Sequence, residues 1–476
     1  MNLNLAGTLP INYRDPIITF HCNLHTLFSV PSLSLSLSRS QLKFVVISSL
    51  DQNKKMAYQT HDLTKTSYCQ SLLPINKANN DLSAFPINML PEEMQIKILS
   101  HLQTDDMVRC ESVCKKWQTG IESWASRPPL GYTPQPKKPL YFMFNSEVPY
   151  ATYAYNSDKE KWIPFDIPNS DETDQSPTPQ LETTFFSQYT LYISASRGLV
   201  CFMETRTQDK CYVFNPILKN RIKLLPKAPG DIADYCAVTL ATDVGSRKYV
   251  VAMVKSYHVD SIIKNNIQFY VDIHLYKSET SSWVNFHTES LVGWHGGDSD
   301  SCVICKDRLY VVANFPYVAG GTKPIHEIVA YDLSQTRQSQ KKSPARTKVT
   351  IPCALTCVRL QNLDGKLIMV GGIPKKGTMT LDTVAIWELC GKNLKEITRA
   401  PDDVISRFRE KFDPAFIASG CGDIVFIQSY NSRALISYDT RKNVWKIVSK
   451  TPFPVLDDNS HYFGGFCFEP LLDIVP

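Results

Sequence analysis

LDGKLIMVGGIPKKGTMTLDTVAIW, residues 363–387, decides how this chain folds. Leu367 to Val370 is an apolar run of strand length that opens after Asp364-Gly365-Lys366 and runs into Gly371-Gly372. At such a corner glycine lets the chain turn with positive φ and pack closely. Trp387 follows at the end of the next apolar run. Outward from here the pattern recurs: a strand ends in an aromatic or apolar residue, a polar turn follows, and a second strand opens with Trp or another apolar side chain. The instances are Tyr155-Asn156-Ser157 to Trp162, Phe214-Asn215-Pro216 to Ile222, Tyr276-Lys277-Ser278 to Trp283, Trp387-Glu388-Leu389 to Ile397, and Tyr438-Asp439-Thr440 to Trp445. Tyr331-Asp332-Leu333 opens a sixth, whose turn is enlarged by the basic insert TRQSQKKSPARTK.

Between these instances lie GLVCFM, KYVVAMV, RLYVVANF, KLIMVGG and DIVFIQSY, which read as inner strands. A spacing of roughly 50 to 60 residues suits a four-stranded propeller blade with long loops. The Gly-Gly pair with its downstream Trp resembles the kelch repeat, and the other blades are degenerate, with Gly198, Gly296-Gly297, Gly320-Gly321 and Gly464-Gly465 at varied points. The last strand, Phe466-Cys467-Phe468, is expected to pair with Tyr141-Phe142-Met143-Phe144 and close the ring, which protects exposed edges. Six blades fit the count, and seven would need one highly divergent blade. The fold class is therefore mainly β, a kelch-type β-propeller spanning residues 140–476. No convincing amphipathic helix is read between Leu140 and the C-terminal part of the chain.

Ahead of the propeller stands LPEEMQIKILSHLQTDDMVRCESVCKKWQTGIESW, residues 90–124. Pro91 sits where a helix begins, and Glu92 and Glu93 suit the positive end of its dipole. Met94, Ile98, Leu99 and Leu102 recur at helical spacing. Thr104 caps a second helix that carries Met107, Val108 and Cys110. Cys114, Trp117, Ile121 and Trp124 mark a stripe on a third. A unit of about 40 residues is at the limit of what folds without disulfides, metal or a partner. The order Leu90-Pro91, Ile98-Leu99, Leu102, Val113-Cys114, Lys115-Lys116-Trp117 resembles the F-box, with Met94 and Met107 where Leu is commoner. The bland reading is a helical hairpin capping the next domain. Residues 85–126 are assigned to this three-helix F-box and residues 127–139, RPPLGYTPQPKKP, to a Pro-rich extended linker.

The formal net charge of +5 is too mild to argue for nucleic acid. The 14 cysteines lack disulfide-framework spacing and read as reduced, mostly buried hydrophobes of a nuclear or cytoplasmic protein. No apolar stretch is long enough to span a bilayer. Residues 1–84 read as a disordered or mis-annotated N-terminal extension: SLSLSLSRSQLKFVVISS is serine-rich, Leu alternates with Ser at a strand period, and Met56 is an alternative start. A transit peptide is the competing reading.

Catalytic and metal chemistry is thin. Cys302-Val303-Ile304-Cys305 has the CxxC form, but residues three apart on a strand point to opposite faces. Cys353 and Cys357 would share a strand face, with no His pair to complete a site. Cys110 and Cys114 are four apart and belong to the core of the helical segment. His295, beside Gly296-Gly297-Asp298, is the most suggestive histidine, a ligand-approach loop or else a plain turn. NSDETDQSPTPQ, residues 169–180, is an acidic loop. Arg337, Lys341, Lys342, Arg346 and Lys348 make the insert basic, a candidate docking element. No catalytic residue, cofactor or metal site is assigned.

The combined series, from YFMF through SRGLVCFM, IHLYKSETSSW, GWHGGDSDSCVIC and IPCALTCVRLQNL to GFCFEP, resembles the plant F-box/kelch-repeat proteins. That resemblance implies a non-catalytic substrate-recognition subunit of an SCF-type E3 ubiquitin ligase. A Skp-family adaptor would link it to a cullin-RING ligase, and the propeller would hold a target protein. The adaptor-binding residues it implies are Leu90, Pro91, Ile98, Leu99, Leu102, Val108, Val113, Cys114 and Trp117. The substrate-binding residues stay unassigned. The rival classes are a non-degradative F-box scaffold and a copper enzyme of the galactose-oxidase type.

Overall fold

The computed structural model describes short N-terminal strands, parts of residues 91–126, and the chain from Lys138 onward apart from connecting segments, chiefly 146–151, 166–190, 260–267, 296–300, 316–325, 335–345, 410–414 and 454–462. The chain divides into two compact units, residues 1–124 with 129–131, and the remainder. In the first, strands Ile18–Cys22, Leu33–Ser38, Gln41–Ser48 and Ala57–Gln59 pair antiparallel in chain order. The Leu/Ser alternation is realised as Leu33–Ser38; the rest of the 1–84 segment expected to be an extension, and most of the Pro-rich linker, lie outside the described residues.

The second unit is a six-blade propeller. Blade 2 is Leu191–Ser196, Leu199–Glu204, Cys211–Phe214 and Ile222–Leu224. Blade 3 is Tyr235–Thr242, Tyr249–Val259, Gln268–Lys277 and Ser282–Val292. Blade 4 is Cys302–Cys305, Arg308–Asn314, His326–Asp332 and Arg346–Val349, with Trp294–His295 added beside its second strand. Blade 5 is Val358–Leu363, Lys366–Pro374, Leu381–Cys390 and Asn393–Arg399. Blade 6 is Phe416–Cys421, Ile424–Ser429, Leu435–Asp439 and Val444–Ile447. Blade 1 joins the two ends of this sequence: Phe463–Phe468 pairs with Leu140–Asn145, followed by Thr152–Asn156 and Lys161–Phe165. The expected closure is present, with Phe466 opposite Phe142 and Cys467 opposite Tyr141.

The repeated motif is the cross-strand pair between third and fourth strands. Tyr155 faces Trp162, Tyr276 faces Trp283 and Tyr438 faces Trp445, with ring centroids 5.3, 5.5 and 5.0 Å apart. In blade 5 a bulge makes Trp387 face Glu396, so Ile397 is the extra residue and stands 39% exposed. The runs read as inner strands are second strands, a correction. The strands that line the channel precede them: 191–196, 235–242, 302–305, 358–363, 416–421 and 463–468. Second strands have core on both faces, so they carry unbroken apolar runs and catch the eye; Val251 to Val254 are all 0% exposed. The cores lie between blades, as between blades 2 and 3, where Met203 and Val213 meet Val238 and Val251.

Two glycine assignments change. Gly371 and Gly372 sit inside Lys366–Pro374 rather than at a corner. They are needed for close approach: a Cβ on Gly371 would lie 2.6 Å from Leu355 Cδ1 and 2.9 Å from Trp387 Cζ3. The left-handed turn falls to Asp364-Gly365 (φ 48° and 83°), and blade 2 repeats it with Arg197-Gly198 (φ 40° and 83°). Two positive-φ residues in a two-residue loop match the twist of a hairpin. Such turns join first to second strands, and four-residue turns ending in positive φ at Glu160, Ser281 and Asn443 join third to fourth. All open on one face of the ring, and the longer connections open on the other.

One helix was not read from the sequence, Asp402–Arg409 in the blade 5 to 6 connection. Its signal is present: the Pro401 carbonyl accepts from Val404 N and Ile405 N at 3.0 Å, Asp402 and Asp403 fill the first turn, and Val404 and Ile405 are buried.

Candidate functional site

In the F-box segment the Pro91 carbonyl accepts from Met94 N (3.0 Å) and Gln95 N (3.1 Å), which starts a helix where the proline was expected to start one. Pro91 itself is exposed, as are Lys115 and Lys116. Leu99 is 2% exposed and Cys110 is fully buried. Helix Lys115–Ser126 carries Trp117 and Ile121 four apart on one face, both buried, with Thr119 turned to solvent. Leu90, Ile98, Leu102, Val108, Val113 and Cys114 lie outside the described residues. Leu99 and Trp117 are thus already shielded by their own chain. The Trp117 indole Nε1 is buried with no acceptor among the described residues.

In the propeller the channel-lining strands each have an edge without a paired strand. Side chains from the neighbouring blade fill many of those positions. Ser194 Oγ and Ser196 Oγ accept from Leu240 N (3.0 Å) and Thr242 N (3.2 Å). Gln361 donates to the Ala418 carbonyl (2.6 Å) and accepts from Gly420 N (3.0 Å). Arg359 Nε donates to the Phe416 carbonyl (2.7 Å), Asn362 to that of Ile304 (3.0 Å), and Cys467 N to Ser419 Oγ (2.7 Å). The cavity these strands leave is about 130 Å³, below the roughly 300 Å³ at which ligand pockets begin. The wall of the channel is thus stitched from blade to blade by side chains.

A larger groove of about 520 Å³ lies between blades 4 and 5 on the tight-turn face, lined by Lys306, Arg308, Tyr310, Asp332, Lys366 and Glu388. Its Lys366 Nζ is 3.7 Å from Glu388 Oε1, so part of its charge is internally matched. The CxxC pair divides as expected: Cys302 joins the core shared by blades 3 and 4, and Cys305 the one shared by blades 4 and 5. Cys353 does not share a strand face with Cys357; it is exposed in the connection before Val358. His295 is 1% exposed, its N–H donates to Ser256 Oγ (3.0 Å) and its carbonyl accepts from the same hydroxyl (2.8 Å), which makes it a pinned strand residue. Of the basic insert, Arg346 pairs with Glu289 (3.2 Å) and Lys348 with Glu327 (2.7 Å). Arg337, Lys341 and Lys342 lie outside the described residues. Among the described residues no group of three or more His, Cys, Asp or Glu side chains is placed to hold a metal ion, and no helix is long and apolar enough to cross a membrane.

The comparisons agree with this two-part plan. Residues 87–123 match the F-box-like family model, and residues 165–463 match the model described as F-box protein At3g26010-like, beta-propeller. F-box/kelch-repeat protein At3g61590 of Arabidopsis thaliana is 34% identical over 401 residues, 82% of this chain and 90% of its own length. F-box protein At1g49990 of the same plant is 25% identical over 265 residues, 50% of this chain and 59% of its own length. Putative F-box/kelch-repeat protein At4g22430, also from Arabidopsis thaliana, is 29% identical over 96 residues, 20% of this chain and 22% of its own length. With an F-box-like segment followed by a six-blade propeller, and a relative of this identity along nearly all of its length, the chain belongs to the plant F-box/kelch-repeat family.

Proposed function

We propose that this protein is the substrate-recognition subunit of an SCF-type E3 ubiquitin ligase. The observation that carries the reading is the joining, in one chain, of an F-box-like segment at residues 87–123 to a closed six-blade propeller. The F-box binds a Skp-family adaptor and, through it, a cullin-RING ligase. Leu90, Pro91, Ile98, Leu99, Leu102, Val108, Val113, Cys114 and Trp117 form the contact or its support. The propeller binds a target protein. Ligase chemistry comes in trans, so the receptor contributes proximity and orientation. It uses no cofactor, nucleic acid or membrane and works in the nucleus or cytoplasm. Within the family its motif order resembles that of the member called HAWAIIAN SKIRT.

The test is co-purification with the adaptor. A Leu99→Asp, Leu102→Asp variant should lose the adaptor. Because Leu99 is buried, a Lys115→Glu, Lys116→Glu variant on the exposed start of the third helix serves as a second probe. Full adaptor retention by both, with the propeller's melting unchanged, rules out this interface, and failure of the unaltered protein to bring down the adaptor rules out the reading. Bound proteins that neither accumulate nor lose ubiquitination on depletion of the protein would favour the non-degradative scaffold.

A further inference from the structure

Resting on the receptor reading, we infer that the projecting end of blade 3 is the target-docking ledge, and that it takes a basic segment carrying an aliphatic or aromatic side chain. Blade 3 outgrows its own inner strand. The last pair made by the inner strand is Tyr235 with Ser256, yet Tyr257, His258 and Val259 continue to pair with Tyr270, Phe269 and Gln268. Three further pairs project about 10 Å beyond the inner strand at about 3.4 Å per residue. They do so on the long-connection face, away from the tight turns.

The connection from blade 2, residues 225–234, is fixed against this overhang by its backbone. Lys255, 1% exposed, donates its three ammonium protons to the carbonyls of Pro229 (3.0 Å), Gly230 (3.3 Å) and Asp231 (2.8 Å). Tyr257 Oη donates to the Asp231 carbonyl (3.2 Å), and the Gln208 amide holds both Ala233 N (2.9 Å) and its carbonyl (3.0 Å). His258 N donates to Asp234 Oδ2 (2.6 Å). With the backbone held this way, the side chains stand outward. Ile232 is 63% exposed and Tyr270 43% exposed, and Asp231 and Asp234 are exposed beside them.

Charge selects the occupant. Asp231, Asp234 and Asp272 make no ion pair with any described residue, and Asp272 accepts only from Thr288 Oγ1 (2.6 Å). The buried Lys255 ammonium gives its protons to carbonyls and its charge offsets part of that of Asp231 and of Asp272 across the strand pair; Lys227 is the cation on the connection itself, and the three aspartates stay in excess. On the same sheet face as Asp272 and Tyr270 lies His274, 4% exposed, with neither ring nitrogen partnered among the described residues. An acidic rim around exposed Ile232 and Tyr270 complements Lys or Arg side chains flanking one apolar anchor, with the aromatic ring adding a cation–π face.

The full chain is tested against an array of 15-residue peptides matched in apolar content, bearing four Arg/Lys, four Asp/Glu, or neither. The basic set is expected to be retained at least tenfold more than the acidic set and to weaken with salt. An Asp231→Lys, Asp234→Lys variant should lose at least tenfold of that retention and Tyr270→Ala several-fold, while Glu160→Lys on the opposite face changes nothing. Equal retention of basic and acidic sets, or indifference to the double reversal, overturns the ledge. Concentration-dependent self-association abolished by the same reversal would give the ledge to a second copy and also overturn it. Adaptor co-purification is read on the same samples: its absence with basic retention intact removes the receptor reading alone, and its presence with no basic preference removes the ledge alone.

Discussion

Replacing Asn215 by Ala should loosen the join between blades 1 and 2. Asn215 is 0% exposed; its Nδ2 donates to the carbonyls of Leu471 (2.7 Å) and Ile474 (3.0 Å), and its Oδ1 accepts from Ile217 N (3.1 Å). It thereby holds the segment after the closing strand against blade 2, where Ile474 enters the core with Leu199 and Val213. Gly198 makes room: a Cβ there would fall 2.7 Å from Ile474 Cγ2 and 2.8 Å from Leu471 Cβ. Three hydrogen bonds, two of them buried, at about 1 kcal/mol each give a loss of about 3 kcal/mol. At about 2.1 cal/mol/K per residue over the propeller, that is a fall in Tm of roughly 4 °C. Asn156, at the same place in the blade 1 repeat, caps only its own turn through Asp158 N (2.9 Å) and Lys159 N (3.1 Å), so Asn156→Ala should cost about 1 kcal/mol. The assay is thermal unfolding by circular dichroism with hydrogen exchange of residues 469–476. If Asn215→Ala melts with the wild type and those amides stay protected, the reasoning fails.

Gly465→Ala should cost about 1–3 kcal/mol in urea unfolding, because its Cβ would press on Tyr141 Oη and approach Gln428 Oε1 to 2.6 Å, where those two groups are already hydrogen-bonded; a variant as stable as the wild type would show that the closing strand can shift. His326 is held down to about 4 by burial first and by the nearby Arg359 charge second. Its folded value lies below the unfolded one near 6.5, so its contribution is complete above about 6.5 and is lost as pH falls toward 4. The wild type minus His326→Gln difference in stability should therefore shrink across that window by roughly 2–3 kcal/mol, and a flat difference would contradict the burial argument. Replacing Lys255 by Met leaves three carbonyls without their donor, so hydrogen exchange in residues 229–234 should quicken while the other inter-blade connections are unaffected; uniform exchange would show that the lysine is dispensable.

Much of this was legible because the propeller repeats its chemistry locally. Tyr155 with Trp162 and Tyr438 with Trp445 lie seven residues apart, so strand, turn and strand can be read from one short window. The two thiols of Cys302 and Cys305 separate as strand geometry requires. The layer order was misread because apolarity reports burial on two faces, and the channel strands carry Ser194, Gln361, Asn362 and Ser419 for bonds made to another blade. No window contains both partners of such a bond. Asn215 and Ile474 are an extreme case, 259 positions apart. Ile397 was misplaced by the blade 5 bulge, which shifts register by one without any glycine to announce it. In the F-box the helical stripe of Trp117 and Ile121 was readable, whereas their shielding by the chain itself was not.

The pairing of Phe463–Phe468 with Leu140–Asn145 also dictates an order of events at the ribosome. The three N-terminal strands of blade 1 emerge first and must wait, one border bare, while five complete blades are synthesised behind them. A transcript cut short anywhere before Phe463 would yield a product with that border permanently open, able to recruit β-strands from other nascent chains. Quality-control factors that recognise unpaired backbone should therefore engage this protein during most of its translation and let go once its final sheet is complete.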